Sequence, residues 1–387
     1  MRLSQFKNPK ERLKYLENEL NIKLSYVEKA LIEDEKNINC ENLIGATTLP
    51  LGVAGPLIIS SVATHFAEAS RVKKALEDKK NYYIPLATTE GALVASVNRG
   101  CKVITLSGGA VVNVHRVGTT RGPVFYTGGI KKSNLFYKWI KENEKKLGRI
   151  AENTSSHLKF IKAGVRSLGY YVYVRFYFNT GDAMGMNMVT IATQKIVEFI
   201  EKETNVKCLS VAGNFDIDKK PAWLNFISNR GTKAWAEVVL PKKIIEEVLK
   251  SNANNIFEVW LAKCMLGSAM SGSLGFNAQF ANVTSAFFAA TGQDLAHTVE
   301  GSMGITFVKP LENGDLYFSV YMPAIMIGTV GGGTKLKIKQ EALSIIGAKT
   351  SEELTEVFIA TVLAGEISLL SSLEEGTLAK THERLGR

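Results

Sequence analysis

The sequence predicts an α+β protein in which a small α/β unit interrupts a larger domain. Residues 123 to 209 run strand–helix–strand–helix–strand, which is typical of a sheet covered by helices. The chain before residue 122 and after residue 223 has a different texture, with small-residue helical runs punctuated by glycine and proline. Because the same sequence pattern occurs on both sides of residues 123 to 209, we expect the two flanks to form one domain and the middle segment to be an insertion.

Hydrophobic periodicity and turn residues predict the individual elements. Residues 9–36 have apolar positions at helical spacing and predict two or three short helices, residues 45–56 predict loop and strand, and residues 91–97 an internal helix. In the inserted unit we expect strands at 124–126, 170–178 and 207–211, a charged helical segment at about 131–163 and a helix at 186–203. Beyond it we expect helices over 262–296, a β-hairpin around 312–315, a glycine-rich turn over 323–333 and terminal helices.

Composition limits the class of protein. The chain has 387 residues, 45% hydrophobic and 22% charged, which suits a soluble protein of two or three domains or subdomains. No apolar run approaches the roughly 20 residues that cross a bilayer. Residues 1–7 lack the apolar core of a signal peptide, so we expect a cytoplasmic protein with no membrane partner. The four cysteines and five histidines show neither zinc nor disulfide spacing, so no metal is expected.

The formal net charge of +10 indicates an anionic partner. A nucleic acid, an anionic membrane surface and a polyanionic small molecule all fit that charge. The lysines are mixed with acids or apolar residues, and no arginine-rich arm occurs, which favours a phosphate-bearing cofactor or a thioester carrier over nucleic acid. A basic nucleic-acid-binding protein is the alternative from another class, and a steep salt dependence of binding would identify it.

Three segments carry acids and bases suited to proton or oxyanion chemistry. Asp218-Lys219-Lys220-Pro221 places two adjacent ammonium groups beside a carboxylate, and a partly desolvated lysine of this kind can hold a developing oxyanion. Glu90 follows Thr88-Thr89. It either interacts favourably with the dipole at a helix N-terminus or is a partly buried acid that donates a proton. Asp294, after Gly292-Gln293, either caps a helix end or tunes the proton affinity of Glu90 and Lys219.

Glycine-rich and basic segments add further candidates. Gly181–Met188 opens a helix after a strand, so its backbone N–H groups can cradle a pyrophosphate, although it is not a G-x-G-x-x-G fingerprint. Gly331–Gly333 is a second close-approach loop or simply a turn. His382 is either solvated or part of a mobile flap that brings a proton donor over a site. A basic series, either paired at the surface or recognising carboxylate or phosphate, comprises Arg99, Lys102, Arg116 and Arg121.

In their order along the chain, these segments resemble the 3-hydroxy-3-methylglutaryl-CoA (HMG-CoA) reductase family from about residue 41 onward. The matching stretches are Glu41–Gly45, Pro50–Pro56, Thr88–Gly91, Asn98–Cys101, Gly181–Met188, Asp218–Pro221, Gly267–Met270, Gly292–Asp294, Gly328–Thr334 and Lys380–His382. The ordered set is highly specific. It is closer to the branch shared by eukaryotes and many archaea than to the other bacterial branch.

The resemblance implies the soluble catalytic-domain form of that branch. Residues 1–40 would be an N-terminal helical segment, and 41–122 with 223–387 a large, mainly helical CoA- and substrate-binding domain around a central helix. Residues 123–209 would be an inserted ferredoxin-like NADP-binding domain, and 210–222 an active-site connecting loop. The resemblance also implies an obligate homodimer, or a tetramer, with active sites shared between subunits.

The implied reaction is the four-electron reduction of (S)-HMG-CoA to mevalonate and CoA with two NADPH, through a hemithioacetal and mevaldehyde, in the mevalonate pathway of isoprenoid biosynthesis. Lys219 would stabilise the oxyanion and His382 would protonate the departing CoA thiolate. Glu90 would protonate the reduced aldehyde oxygen, and Asp294 would hold the Glu90–Lys219 pair in a useful protonation state. The runner-up is NAD-linked oxidative breakdown of mevalonate by the same chemistry.

The resemblance also assigns binding roles. The polar tail of the substrate would be bound by Arg121, Asp218 and Lys220, with Asn282 near the reacting oxygen. CoA would be bound by Ser96, Arg99 and Lys102. The nicotinamide nucleotide would be bound by Asp182, Gly185, Met186, Asn187, Ser155 and Ser156.

Two positions depart from the family pattern. Ala212 stands where the family commonly has a serine that binds the substrate carboxylate, so one hydrogen bond is missing or replaced. Near Ser155-Ser156, relatives of this branch have a Ser-Arg pair for the 2′-phosphate, and here the arginine is absent. Lys159 or Lys162 could substitute for it.

Overall fold

The computed structural model describes residues 8–25, 40–61 and 80–376. Helices and strands over this part of the chain pack around two hydrophobic cores, and the predicted α+β class is confirmed. The helices predicted beyond residue 25, and His382, lie outside the described residues.

The secondary-structure elements are numbered in chain order. The strands are β1 (Leu51–Ser61), β2 (Lys80–Ala87), β3 (Ala110–Arg121), β4 (Val124–Tyr126), β5 (Lys159–Leu168), β6 (Tyr171–Asn179), β7 (Lys207–Ser210), β8 (Arg230–Leu240), β9 (Gly275–Phe276), β10 (Gly304–Pro310) and β11 (Leu316–Ile325). The α-helices are α1 (Pro9–Leu20), α2 (Leu93–Leu106), α3 (Ile130–Glu142), α4 (Glu144–Glu152), α5 (Met186–Thr204), α6 (Trp223–Ser228), α7 (Lys242–Ile244), α8 (Ala253–Trp260), α9 (Ser268–Ser271), α10 (Phe280–Thr291), α11 (Thr298–Gly301), α12 (Lys337–Ile346) and α13 (Ser351–Glu374). The π-helical segments Ile245–Leu249 and Leu261–Gly267 continue α7 and α8, and 3₁₀ turns cover Leu295–His297 and Gly332–Lys335.

Strands β4 to β7 and helices α3 to α5 form a ferredoxin-like unit. The strand order is β7-β4-β6-β5 with antiparallel neighbours, and the chain order is strand, helices, two strands, helix, strand. Apolar side chains of the sheet, such as Phe125 and Phe176, pack with Ile140 of α3 and Ile196 of α5 in a core of their own.

The prediction of a single helical segment over about 131–163 is wrong for the second half of that range. Helix α4 ends at Glu152, and Lys159–Leu168 is the strand β5. Among the described strands β5 pairs only with β6, so it is an edge strand, and Lys159, Lys162 and Arg166 face solvent. Charged residues are typical of edge strands, where they discourage further pairing. The same charges look like the solvated face of a helix when only the sequence is considered.

The larger core lies between helices and a sheet of β1, β2, β3 and β8 to β11. Strand β3 links this sheet to the ferredoxin-like unit, because Val111–Gly118 pairs with β8 and Thr119–Arg121 pairs with β6. The predicted hairpin around 312–315 joins β10 to β11, and Pro323–Ile325, expected in a turn, ends β11. Strand β3 therefore brings Arg121 to the junction of the two sheets.

Helix α13 is the central helix of the larger core. It is long and apolar enough to cross a membrane, with a mean hydropathy of 1.6 over its best 18-residue window, but 89% of that window is buried inside the protein. Polar residues such as Thr361 and Glu366 interrupt its apolar residues, so the sequence shows no continuous apolar run of that length. Helix α2 packs very closely on it, since a Cβ atom at Gly100 would lie 1.9 Å from the carbonyl oxygen of Ala364. The burial identifies α13 as a core helix.

A buried carboxylate ties α13 to the start of α10. Glu366 is fully buried and accepts hydrogen bonds from the N–H groups of Ala278 and Gln279, at 2.8 and 2.6 Å, and from the hydroxyl of Thr306 at 2.6 Å. Burial raises the pKa of Glu366, while these three donors oppose the rise. Helix α10 carries Asn282, so this contact helps to position a predicted site residue.

We expect Glu366→Ala to lower the free energy of unfolding by about 3 kcal/mol, because it leaves one buried N–H group, one half-buried N–H group and a buried hydroxyl without an acceptor. Denaturant titration measures the effect. Glu352→Ala, an exposed glutamate in the first turn of the same helix, is the control. A Glu366→Ala protein as stable as that control would contradict the assignment.

Candidate active site

The loop between β7 and α6 holds Lys219 in a strained backbone conformation. Asn214, Ile217 and Lys219 have φ values of 63°, 57° and 56°, in the left-handed region that residues other than glycine seldom adopt. The N–H of Gly213 donates to the carbonyl of Gly122 at 2.7 Å and fixes one end of the loop. Such strain persists only where the surroundings enforce it, and it is concentrated at functional sites.

Two arginines hold the acids of this loop. Arg121, at the end of β3, lies 3.2 Å from the carboxylate of Asp216 and 3.5 Å from that of Asp218. Arg230, at the start of β8 and fully buried, donates to Asp218 at 2.8 Å. The other side of Arg230 pairs with Glu300, which is also fully buried. The backbone that presents Lys219 is therefore fixed by ion pairs on both sides.

Lys219 forms an ion pair with Asp294, in which Nζ of the lysine lies 2.8 Å from Oδ2 of the carboxylate. Partial burial would raise the pKa of Asp294, but the hydrogen bonds from Lys219 and from the N–H of Ala296, with the charges of His297 and Lys219, together lower it below its usual range. Asp294 is thus a carboxylate at neutral pH. Both side chains remain about one-third exposed, at 37% and 35%, so a ligand can reach them.

The glycine turns interlock around Asp294. Gln293 donates to the carbonyl of Gly328 at 2.9 Å and accepts from the N–H of Gly328 at 3.0 Å. A Cβ atom at Gly292 would lie 2.6 Å from the carbonyl oxygen of Gly333, so the two turns are in close backbone contact. The three sequence segments 181–188, 292–294 and 328–334 are therefore brought to one place.

Asp182 links this group of turns to the central helix. Its carboxylate accepts from the N–H of Ser351, the first residue of α13, at 2.8 Å, and its carbonyl accepts from the N–H of Thr329 at 2.9 Å. Arg116 supports the same corner by donating to Asn179 at 2.8 Å, to Ser351 at 2.7 Å and to the carbonyl of Gly181. Asp182 thus acts here as a helix cap and a loop anchor.

These segments enclose a cavity of about 650 Å³. Its lining comprises Arg121, residues 183–188, Asp218, Lys219, residues 292–294, Gly328 and residues 330–334. The Lys219–Asp294 pair is in its wall, and Gly185, with a left-handed φ of 86°, begins α5 without a side-chain cap. The uncapped N–H groups at the start of that helix favour an anion.

Glu90 lies at the opposite end of α10 from Asp294. Its carboxylate accepts a hydrogen bond from the amide of Asn282 at 3.0 Å, and Asn282 is in the first turn of α10. Asp294 lies beyond the end of that helix at Thr291. Asn282 and Thr291 are separated by nine residues, which is about 14 Å along a helix. One chain therefore places Glu90 and Lys219 in different regions.

Ser96, Arg99 and Lys102 share helix α2, and two of them bond to the central helix. Ser96 donates to the hydroxyl of Ser368 at 3.0 Å, and Arg99 donates to the hydroxyl and carbonyl of Ser368 and to Ser372. Burial lowers the pKa of Arg99, an effect that Glu375 partly offsets. Lys102 is exposed.

The residues expected near the adenosine end lie at the rim of the ferredoxin-like unit. Ser155 and Ser156 are in the turn between α4 and β5, and the hydroxyl of Ser155 accepts from the N–H of His157 at 3.2 Å. Lys159 pairs with Asn179 across β5 and β6, next to the glycine turn, whereas Lys162 lies 4.8 Å from the ring centre of Tyr177.

The hydroxyl of Ser210 accepts a hydrogen bond from the N–H of Ala212 at 3.2 Å. The same hydroxyl donates to the carbonyl of Ala212 at 3.1 Å. Lys220 is exposed, and its ammonium donates to the carbonyl of Asp218 at 3.4 Å.

Sequence reasoning missed four buried groups behind the Lys219–Asp294 pair. They are Asp216, Arg230, His297 and Glu300. The spacing of Asp294, His297 and Glu300, three residues apart each time in an otherwise small and apolar stretch, was an available signal. The partner arginine lies 70 residues away in the chain and could not be identified from spacing.

The fold and the cavity define an enzyme that places a lysine–carboxylate pair beside glycine turns able to approach a phosphate-bearing ligand. The hydroxymethylglutaryl-coenzyme A reductase family model matches residues 8–387. The chain is 44% identical over 382 residues to the 3-hydroxy-3-methylglutaryl-coenzyme A reductase of Methanothermobacter thermautotrophicus, covering 97% of this chain and 92% of that one. It is 45% identical over 387 residues to that of Methanocaldococcus jannaschii, with the same coverage. The chain therefore belongs to the HMG-CoA reductase family and is an oxidoreductase.

Solved structures support the fold. One is a class II 3-hydroxy-3-methylglutaryl-CoA reductase from Streptococcus pneumoniae bound to NADPH, which matches this chain with a TM-score of 0.71. The match covers 95% of this chain and 87% of the Streptococcus chain. Its sequence identity is 17%, so the likeness is one of fold.

Proposed function

We propose that this protein reduces (S)-HMG-CoA to mevalonate and CoA with two NADPH, as a cytoplasmic enzyme of the mevalonate pathway. The observation that carries the proposal is the ion pair of Lys219 and Asp294, 2.8 Å long, in the wall of the glycine-lined cavity. An ammonium group held beside open space is suited to stabilising charge that develops on a carbonyl oxygen.

The cavity suits the nicotinamide nucleotide. Side chains at Gly331 and Gly332 would project into open space, and both residues have left-handed φ values, 82° and 54°, so glycine leaves room there for a ligand. The uncapped start of α5 offers N–H groups for a phosphate. Asp182, Gly185, Met186 and Asn187 would hold the nucleotide, with Ser155 and Ser156 near its far end. When bound, NADPH supplies the hydride equivalents.

Lys219 would stabilise the oxyanion at each reduction, and Asp294 would keep the lysine protonated and oriented until that oxyanion forms. The lowered pKa of Asp294 supports this role, because an ionised carboxylate favours the ammonium form of its partner. Glu90, oriented by Asn282, would donate the proton to the reduced aldehyde oxygen. His382 would protonate the CoA thiolate as the carbon–sulfur bond of the hemithioacetal breaks to give mevaldehyde.

Substrate and CoA would be bound by the remaining charged residues. Lys220 is exposed and suits direct contact with the carboxylate tail of the substrate. Arg121 and Asp218 form an ion pair with each other, so they would act by holding the binding loop in shape. Both residues also line the cavity. Ser96, Arg99 and Lys102 would face CoA near the end of α13.

The proposal predicts that purified protein with HMG-CoA and NADPH forms mevalonate and free CoA thiol. Two NADPH are consumed for each thiol released, because the thioester is reduced by four electrons. Absorbance of NADPH and a thiol reagent measure both quantities in one assay. Product formation with NADH alone, or only in the direction of mevalonate oxidation, would instead favour the NAD-linked breakdown of mevalonate.

Lys159 is the better candidate for the 2′-phosphate, because it lies across from Asn179 and next to the glycine turn. We expect Lys159→Glu to raise KM for NADPH about tenfold or more and to change KM for NADH less than about twofold, since only NADPH has the extra phosphate. Initial rates with each cofactor provide the test. Lys162→Glu is the matched control, and a larger effect there would reassign the phosphate contact to Lys162.

A further inference from the structure

His297 lies directly behind the Lys219–Asp294 pair, and one of its nitrogens has no hydrogen-bond partner within the part of the chain that the structure describes. Its ring is fully buried, and Nδ1 lies 2.7 Å from Oε1 of Glu300. Nε2 points toward Oδ2 of Asp294 at 3.7 Å and has no hydrogen-bond partner among the described residues. Most buried polar side-chain atoms in native proteins have a hydrogen-bond partner, so this exception calls for an explanation. The free nitrogen here faces a predicted site residue.

Glu300 fixes which nitrogen faces Asp294. The carboxylate of Glu300 is fully buried and also pairs with Arg230, so it is held as an acceptor. Nδ1 of His297 therefore donates to it, and the ring cannot turn without breaking that bond. Asp218 is the other charged group near Nδ1, at 3.9 Å, and it is bound by Arg230. Arg230 thus binds the two carboxylates on the Nδ1 side of the ring, Asp218 and Glu300. Nε2, on the other side, faces Asp294.

The oxygen that His297 faces is the one that Lys219 uses. Oδ2 of Asp294 lies 2.8 Å from the lysine ammonium and 3.7 Å from Nε2. When the ammonium turns toward an oxyanion, Oδ2 loses its partner. An Nε2–H group is then within a small movement of hydrogen-bond distance. An unprotonated Nε2 could not serve, because two acceptors cannot pair.

We propose that His297, held by Glu300, is a positioning residue that takes over Oδ2 of Asp294 while Lys219 stabilises the oxyanion. This inference rests on the proposed function. It gives Asp294 a cationic or hydrogen-bonding partner throughout the cycle, so that the lysine can leave the partly buried carboxylate without leaving it unpaired. The exchange requires a proton on Nε2 and therefore depends on pH.

The first test compares three variants of the whole chain. His297→Leu removes both ring contacts, His297→Gln keeps an N–H donor but cannot become charged, and Val308→Ala removes buried volume in β10, outside the cavity lining. We expect His297→Leu to lower kcat roughly tenfold or more with KM for both ligands changed less than about threefold. His297→Gln should lose less activity, and its kcat should lack any dependence on pH that requires a proton on Nε2 of His297.

The controls separate this role from a structural one. Val308→Ala should lower Tm with little change in kcat. If His297→Leu does the same, and His297→Gln keeps the wild-type pH profile, the proposal is overturned. Should His297→Leu fail to fold, the pH profile of His297→Gln decides. Wild-type protein inactive on HMG-CoA would instead count against the proposed function.

A measurement without turnover tests the same contact. In ¹⁵N-histidine NMR, the His297 signals are assigned by their loss in His297→Gln. Lys219→Ala frees Oδ2 of Asp294, so the Nε2 signal should move toward that of a protonated, hydrogen-bonded nitrogen. An unchanged Nε2 signal in a folded Lys219→Ala protein would show that His297 does not replace the lysine.

Discussion

Lys219→Ala is expected to lower kcat with HMG-CoA about a hundredfold or more while the protein remains folded. Removal of one preorganised donor to an oxyanion typically costs about 3 kcal/mol of transition-state stabilisation. Lys219 is the lysine of the cavity lining, and its pairing with Asp294 orders the ammonium group before substrate binds. Because the lost interaction forms with the reacting oxygen, kcat should fall more than KM rises. Single-turnover kinetics with saturating ligands measure the chemical step.

Lys250→Ala is the matched control for this substitution. Lys250 has the same left-handed φ of 56° as Lys219, so any strain from alanine in that region affects both variants alike. Lys250 does not line the cavity. Equal losses of activity in the two variants would show that backbone strain, and not the ammonium group, limits Lys219→Ala. A near-normal kcat for Lys219→Ala would exclude the oxyanion role.

The sequence was sufficient to predict those parts of the site that consist of contiguous segments. Gly181–Met188, Asp218–Pro221 and Gly292–Asp294 were each identified as candidates, and the structure places them around one cavity. Glycine and proline mark such turns directly, because glycine allows backbone conformations that other residues avoid and proline fixes φ. The ferredoxin-like class followed from the resemblance, and the strand order agrees with it.

Contacts between distant segments could not be predicted from the same information. Nothing in the local sequence says that Arg230 pairs with Glu300, or that Arg99 bonds to Ser368 of the central helix. A charged residue looks alike whether it is solvated, paired or bound to ligand, because its partner is chosen by tertiary packing. The edge strand β5 was misassigned for a related reason, since its lysines suit a solvated helix equally well.

Mixed dimers of Lys219→Ala and Glu90→Gln chains are expected to recover about half of the wild-type activity, although each variant alone is nearly inactive. Glu90 is bound to Asn282 at the start of α10, whereas Asp294 and its partner Lys219 lie beyond the other end of that helix, which runs about 14 Å from Asn282 to Thr291. A proton donor must come within hydrogen-bond reach of the reacting oxygen. We therefore propose that a complete site takes Lys219 from one subunit and Glu90 from its partner.

The mixed dimer then has one site with both defects and one site with none. Co-expression with two different affinity tags isolates it, and HMG-CoA reduction per dimer measures it. Lys219→Ala mixed with Asp294→Asn is the matched control, because Lys219 and Asp294 pair within one chain and each site keeps one defect. That mixture should show no recovery. If the Lys219→Ala and Glu90→Gln mixture also stays at the level of its parents, both groups act from the same chain, and α10 must then be displaced in the active enzyme to bring Glu90 to Lys219.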